Sequence, residues 1–149
     1  MKDKKWLVLI GVAAAITFAL YWLASDTKGL LTGDLVNNQE ELTILAQHLL
    51  GQESADGAAL LDKYSSTYEI DVWQEDKVCV EFHGGASGFG SETSYYGFYY
   101  SPEDELIALH GHEAEFTADG TGWRWIGDGD NGGYVEKVLD NWYYFEANF

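Results

Sequence analysis

The sequence predicts an α+β protein in which an N-terminal transmembrane helix precedes one or two helices packed on an antiparallel β-meander sheet. Three observations predict this: an uncharged apolar segment near the N-terminus, apolar residues at helical spacing, and a two-residue alternation from residue 67 onward. They divide the chain into a cytoplasmic tail at 1–5, a transmembrane signal-anchor at 6–24, a linker at 25–36 and an extracytoplasmic domain at 37–149.

The first apolar segment has the length and composition of a single membrane span. Residues 6–23 contain no charge and no proline, and a helix of this length would reach about 27 Å. Lys2, Lys4 and Lys5 precede it, so the positive-inside rule places the N-terminus in the cytoplasm and the C-terminal domain outside. Cleavage after Ala24 is disfavoured, because it would place the bulky Trp22 at the third position before the cut, where signal peptidase requires a small residue. We therefore expect a single-pass plasma-membrane anchor, with a removed signal peptide as the alternative.

Two helices are expected at the start of the extracytoplasmic domain. Apolar residues recur at helical spacing over residues 37–51, where Asn38 is placed to cap the helix and Gly51 to end it. A second, shorter helix is expected to begin near Ser54, with an apolar side around Leu60. Together these helices would cover one face of the sheet.

From residue 67 the hydrophobic period becomes two, which is the pattern of half-buried strands. The glycine-rich run GGASGFG at 84–90 is expected to form a flexible loop or wide turn. Turn-forming pairs such as Asp119-Gly120 and Asp140-Asn141 separate the later strands. The predicted strands are residues 68–72, 78–82, 93–100, 114–117, 121–126, 133–138 and 142–149.

The charge and cysteine content limit the partners and the cellular setting. The chain has 25 acidic and 8 basic residues, a formal charge of −17. Beyond residues 1–5 there remain 24 acids and 5 bases, about −19, which would repel nucleic acid and attract cations or a basic partner. Cys79 is the single cysteine, so an internal disulfide is excluded, which favours a bacterial surface protein over an animal secreted one. Its strand alternation predicts a small buried thiol.

Aromatic residues are the strongest indication of a binding function. They are concentrated at residues 95–100, 123–125 and 142–145. Rings on one sheet face can form a platform for a sugar or peptide, although strands also favour aromatic residues for cross-strand packing. Arg124, the single arginine, can bind a carboxylate of a ligand or neutralise nearby acids. The candidate ligand-binding residues are Trp123, Trp125, Tyr96, Trp142, Tyr144 and Arg124.

One segment has the spacing of zinc ligands. His110 and His112 would point the same way on a strand and could bind zinc together with Glu115 or the distant His83. The glycine between the two histidines favours a turn instead. The zinc site is therefore a hypothesis that depends on the local backbone.

A second segment resembles the beginning of a calcium loop, with carboxylates at Asp128 and Asp130. Counted from Asp128, a twelve-residue calcium hand would require glutamate at its last position, where the chain has Leu139. A glycine-rich hairpin loop is the preferred interpretation. The sequence thus predicts no cofactor, and the only metal ions that it suggests are zinc and calcium.

These patterns lead to one functional hypothesis and two alternatives. The first is a non-enzymatic, membrane-anchored extracytoplasmic module that binds a protein, peptide or glycan through an aromatic-rich sheet face. The alternatives are a cell-wall hydrolase that uses a carboxylate pair and a metal-binding domain that uses His110 and His112. The sequence contains no G-x-S-x-G elbow, phosphate-binding loop or H-E-x-x-H motif.

Overall fold

The structure, a computed structural model, describes residues 27–89, 92–127, 129 and 131–148. The predicted cytoplasmic tail and transmembrane anchor lie outside the described residues, as do Asp128 and Asp130. Within the described part of the chain, no helix has the length and hydropathy needed to cross a membrane. Leu31–Phe149 form one unit, which contains the entire sheet.

Three helices precede the sheet: α1 (Thr27–Asn37), α2 (Gln39–Leu49) and α3 (Gly57–Tyr64). The two helices expected in this region are confirmed as α2 and α3. The interval predicted as a linker instead contains α1, because Leu31 and Leu35 lie one helical turn apart and are both buried.

The junction between α1 and α2 also differs from the prediction. The side chain of Asn38 does not cap α2. Its amide nitrogen donates instead to the backbone oxygen and the carboxylate of Asp34 in α1, both at 2.9 Å. Asn38 therefore stabilises the end of α1 at the point where the chain enters α2.

Seven strands form one antiparallel sheet in the order β1-β2-β3-β7-β6-β5-β4. The antiparallel α+β class is confirmed, but the sheet contains two meanders rather than one. The chain leaves β3, crosses to the far edge, and returns through β4, β5 and β6 until β7 pairs with β3. The strands are β1 (Glu69–Trp73), β2 (Cys79–Phe89), β3 (Glu92–Tyr100), β4 (Phe116–Asp119), β5 (Gly122–Ile126), β6 (Gly132–Leu139) and β7 (Trp142–Asn148).

The loop predicted at residues 84–90 is wrong over its described part, because residues 84–89 continue β2. The register shifts between His83 and Gly85, which marks a β-bulge. Gly85 has φ 149° and Gly88 has φ 113°, conformations that glycine adopts readily. The glycines thus allow a long, bent strand to stay paired with β3 where their abundance suggested a loop.

Both faces of the sheet are covered, each by a different part of the chain. The three helices pack on one face and form the helix-side core, which includes Leu35, Leu42, Leu45, Phe82, Phe98, Trp142 and Tyr144. The connection at residues 101–115, between β3 and β4, covers the other face. It forms the loop-side core, which includes Cys79, Tyr99, Ile107, Leu109, Trp125, Val135 and Phe145.

Candidate functional site

The aromatic residues proposed as a binding platform are distributed between the two cores. Trp142, Tyr144 and Trp125 are only 0%, 2% and 7% exposed. Trp123 and Tyr96 are partly buried, but Tyr96 packs against the helix-side core and Trp123 against the loop-side core. These rings therefore do not form one platform, because each sheet face is already covered by another layer of the protein.

Arg124 is exposed and serves the local hairpin. Its Nε and Nη2 atoms lie 2.9 and 2.7 Å from Oδ2 of Asp119 on the neighbouring strand β4. The structure thus matches the interpretation in which this arginine neutralises a nearby acid. An exposed pair of this kind contributes at most about 1 kcal/mol to stability.

The two histidines proposed as zinc ligands do not lie on a strand. Leu109–Gly111 is a 3-10 turn in which His110 has φ 63°. The His110 ring packs on Trp73 with the ring centroids 4.9 Å apart, whereas Nδ1 of His112 lies 3.3 Å from Asp76. Glu115 is exposed in the segment before β4. Among the residues that the structure describes, no three histidine, cysteine or acidic side chains are grouped to hold a metal ion.

A pocket of about 420 Å³ opens on the loop side of the sheet, beside the edge strand β1 and its neighbour β2. This volume lies within the range of small-molecule binding sites. We call it the His83 pocket. Its lining includes Glu69, Asp71, His83, Ala86, Tyr95, Leu109 and His110.

Strand alternation explains why charged side chains meet at this pocket. On β2, Val80 and Phe82 enter the helix-side core, so Glu81 and His83 point to the loop side. The antiparallel register places Glu69 opposite His83 and Asp71 opposite Glu81. Two adjacent strands thus direct three carboxylates and one imidazole to the same side.

His83 lies between two of these carboxylates. Its Nε2 atom is 3.3 Å from Oδ2 of Asp71 and 3.3 Å from Oε2 of Glu81. These are ion-pair distances without good hydrogen-bond geometry. Burial lowers the pKa of His83. The carboxylates of Glu81, Asp71 and Glu69 together raise it by more than burial lowers it, so the net pKa lies above the ordinary histidine value. The folded protein therefore holds the proton on His83 to a higher pH than the unfolded chain does.

Glu81 is the residue of this site that the sequence interpretation missed. Only 1% of it is exposed, and both carboxylate oxygens accept hydrogen bonds. The indole nitrogen of Trp73 donates to Oε2 at 3.0 Å, and the backbone N–H of His110 donates to Oε1 at 2.6 Å. Glu81 thereby connects β1, β2 and the 3-10 turn, and it fixes the base of the pocket. The sequence did indicate this, because Glu81 lies two residues after the buried Cys79 on the same strand and therefore faces the same side of the sheet.

A second pocket, of about 550 Å³, shares Leu109 and His110 with the first. It brings together three of the sequence candidates, namely His110, His112 and Trp125. Its other lining residues include Ile126 and Gly127, which lead into the hairpin loop whose carboxylates lie outside the described residues. The His83 pocket is the stronger candidate site, because its histidine is held between two carboxylates at known distances.

Glu81 cannot act with Asp71 as a hydrolytic carboxylate pair in the His83 pocket. Asp71 and Glu81 are close together because both contact His83, but Glu81 is buried beneath the ring and cannot touch a substrate. A glycosidase pair would require both carboxyl groups to reach the scissile bond.

No protein family, curated protein or solved structure matches this chain.

Proposed function

We propose that this chain is a non-enzymatic, membrane-anchored extracytoplasmic module that binds its ligand in the His83 pocket. The observation that carries this proposal is that Asp71 and His83 line an open pocket, with the buried Glu81 in contact with His83 behind it. The ligand group would be presented outside the cell by a protein, a peptide or a glycan. The anchoring at residues 6–24 is supported by their uncharged, apolar sequence and by the lysines that precede them.

The cost of this charged arrangement supports a functional role. Burying a carboxylate and an imidazolium removes both from water, and apolar residues of the same volume often stabilise a fold equally well. Charged groups with shifted pKa values in a concave site are enriched among functional residues. Ala86, Tyr95 and Leu109 add apolar surface to the walls, beside the ring of His110. An apolar wall with a few fixed polar groups is the usual composition of a ligand pocket.

Filling the pocket tests this assignment directly. Ala86 is exposed and lines the pocket, so the Ala86→Trp side chain would occupy the space that a ligand needs. Ala118→Trp on β4 is the matched control, because Ala118 is also an exposed strand alanine but does not line this pocket. The measurement is an NMR screen of the full chain in detergent micelles with small cationic, neutral and anionic compounds. We expect shifts at the pocket in the wild type and the control, and none in Ala86→Trp. Shifts that persist in Ala86→Trp would place the binding site elsewhere.

The extracytoplasmic location has a separate test that uses the buried cysteine. Cys79 is inaccessible, and burial raises the pKa of its thiol, so the wild type should give little background labelling. Glu75 lies exposed between β1 and β2, so Glu75→Cys provides an accessible thiol. We expect a membrane-impermeant maleimide to label Glu75→Cys on intact cells. Labelling that appears only after the cells are permeabilised would contradict the proposed orientation.

A further inference from the structure

We infer that the His83 pocket takes a protonated alkylamine, and that this ligand and the proton on His83 oppose each other's binding. The inference deepens the proposed function and rests on it.

The charges that face the pocket favour a cation. Glu69 and Asp71 line it from β1, and Glu81 lies behind His83 on β2. The lining residues that the structure describes include no lysine and no arginine. With His83 protonated these four groups carry a net charge of about −2, and with His83 neutral about −3. A positively charged ligand is attracted in both states, and more strongly in the second.

The other walls fit the stem of an alkylamine. Leu109 and Ala86 offer apolar contact, and Tyr95 is 38% exposed, so part of its ring is accessible to a ligand. An ammonium group near an aromatic face gains additional electrostatic attraction from the ring. An ammonium beside the carboxylates with an alkyl chain along these walls would use both kinds of surface. A carboxylate or phosphate ligand would instead meet like charges.

The competition follows from the position of His83. Its Nε2 lies 3.3 Å from Asp71, the carboxylate that also lines the open pocket. A bound ammonium ion would share that carboxylate with the imidazolium and repel it. The titratable groups that face His83 are Glu69 and Asp71 from β1, Glu81 from its own strand, His110 from the 3-10 turn and Tyr95 from β3. Binding should therefore release the proton from His83, because linkage between two ligands is reciprocal.

Calorimetric titration of the full chain in detergent micelles tests the ligand class. The probes are n-butylammonium, n-butanol and butyrate, which have similar stems and differ in charge. We expect only n-butylammonium to bind, and Ala86→Trp to abolish its binding. Asp71→Asn should weaken binding about tenfold, as the loss of one nearby charge in a hydrated site implies. Asp62→Asn, an exposed acid on α3, is the matched control and should leave the affinity unchanged.

The pH dependence tests the competition. An alkylammonium group stays protonated up to about pH 10, so the ligand does not change charge when His83 titrates. We expect the affinity to rise about tenfold as the pH passes upward through the pKa of His83. His83→Gln should remove this step, whereas His110→Gln should retain it. A wild-type affinity that does not change with pH, or a step that disappears in His110→Gln, would overturn the competition.

The outcomes separate the inference from the proposed function. If butanol or butyrate binds as well as the amine, and Ala86→Trp blocks that binding, the pocket is a binding site and the ligand class is wrong. If no compound shows binding that Ala86→Trp blocks, both are wrong. A blocked Gly-Lys-Gly peptide that binds more tightly than n-butylammonium would assign the amine to a peptide partner. Weaker binding of the peptide would assign it to a free small amine.

Discussion

Replacing Trp142 with alanine is expected to lower the free energy of unfolding by about 3–5 kcal/mol, the usual cost of deleting a fully buried tryptophan. Trp142 is 0% exposed at the start of the central strand β7. Its ring lies 5.7 Å from Phe82, 5.7 Å from Phe98 and 5.2 Å from Tyr100, measured between centroids. Its indole nitrogen donates to Thr43 of α2 at 3.1 Å. The residue thus joins the sheet to the helices, and its removal leaves a cavity and an unpaired hydroxyl.

Chemical denaturation followed by tryptophan fluorescence measures this loss. Trp123→Ala is the matched control, because Trp123 is only partly buried at the edge of the loop-side core. Its loss should be clearly smaller, since a partly exposed side chain contributes less buried area. Equal losses in the two variants would contradict the assignment of Trp142 to the core. A Trp142→Ala protein of wild-type stability would do the same.

Replacing Glu81 with leucine is expected to cost a similar amount, about 3–5 kcal/mol, because it breaks a buried network of an ion pair and two hydrogen bonds. The change leaves the imidazolium of His83 without its buried partner. It also leaves the indole N–H of Trp73 and the backbone N–H of His110 without their acceptor. Each orphaned buried donor adds to the cost. Glu81→Gln keeps the shape and one acceptor oxygen, so we expect a smaller loss.

The cost of Glu81→Leu should depend on pH in a defined direction. The pKa of His83 is raised in the folded state, mainly by its carboxylate neighbours. Its protonation therefore stabilises the wild type fully below the unfolded pKa of about 6.5, and this contribution is lost as the pH rises through the folded value. Without Glu81 the contribution is smaller, so the deficit of Glu81→Leu should shrink as the pH rises. Denaturation curves at pH values on both sides of the transition measure this. A deficit that is the same at all pH values would show that Glu81 and His83 are not coupled.

Local turn chemistry allowed much of the sheet to be predicted. Asn141 has φ 67° and Gly120 has φ 62°, and these positive angles are the conformations that turns before β7 and β5 require. Alternation of apolar residues between such turns then fixed the strands on either side. The crossover from β3 to the far edge was not predictable, because residues 101–113 show neither helical nor strand periodicity.

The candidate site was predictable only in part. Strand parity places Cys79, Glu81 and His83 on one face, so the sequence did contain a buried glutamate beside a histidine. The partners across the pocket, Leu109 and the backbone of His110, are more than two dozen residues further along the chain. No local pattern relates such positions. The aromatic runs misled the interpretation for a physical reason, because layers on both faces of the sheet bury rings that an open sheet would expose.

Covering both faces also explains why the site lies at the outer strands. The helices and the 101–115 connection bury most of the large rings of the sheet. Near β1 and β2 the 3-10 turn at Leu109–Gly111 supplies only one wall, which leaves the His83 pocket open. A cavity at such an edge is accessible without any rearrangement of the two cores.

The central claim is that the proton on His83 and a cationic ligand are linked in this pocket, and the most direct measurement is the NMR titration of the His83 ring. The imidazole nitrogen shifts of the full chain would be followed across pH with and without saturating n-butylammonium. We predict a pKa above the ordinary histidine value in the free protein and a clear decrease when the amine is bound. A pKa that is the same with and without the amine would contradict the claim.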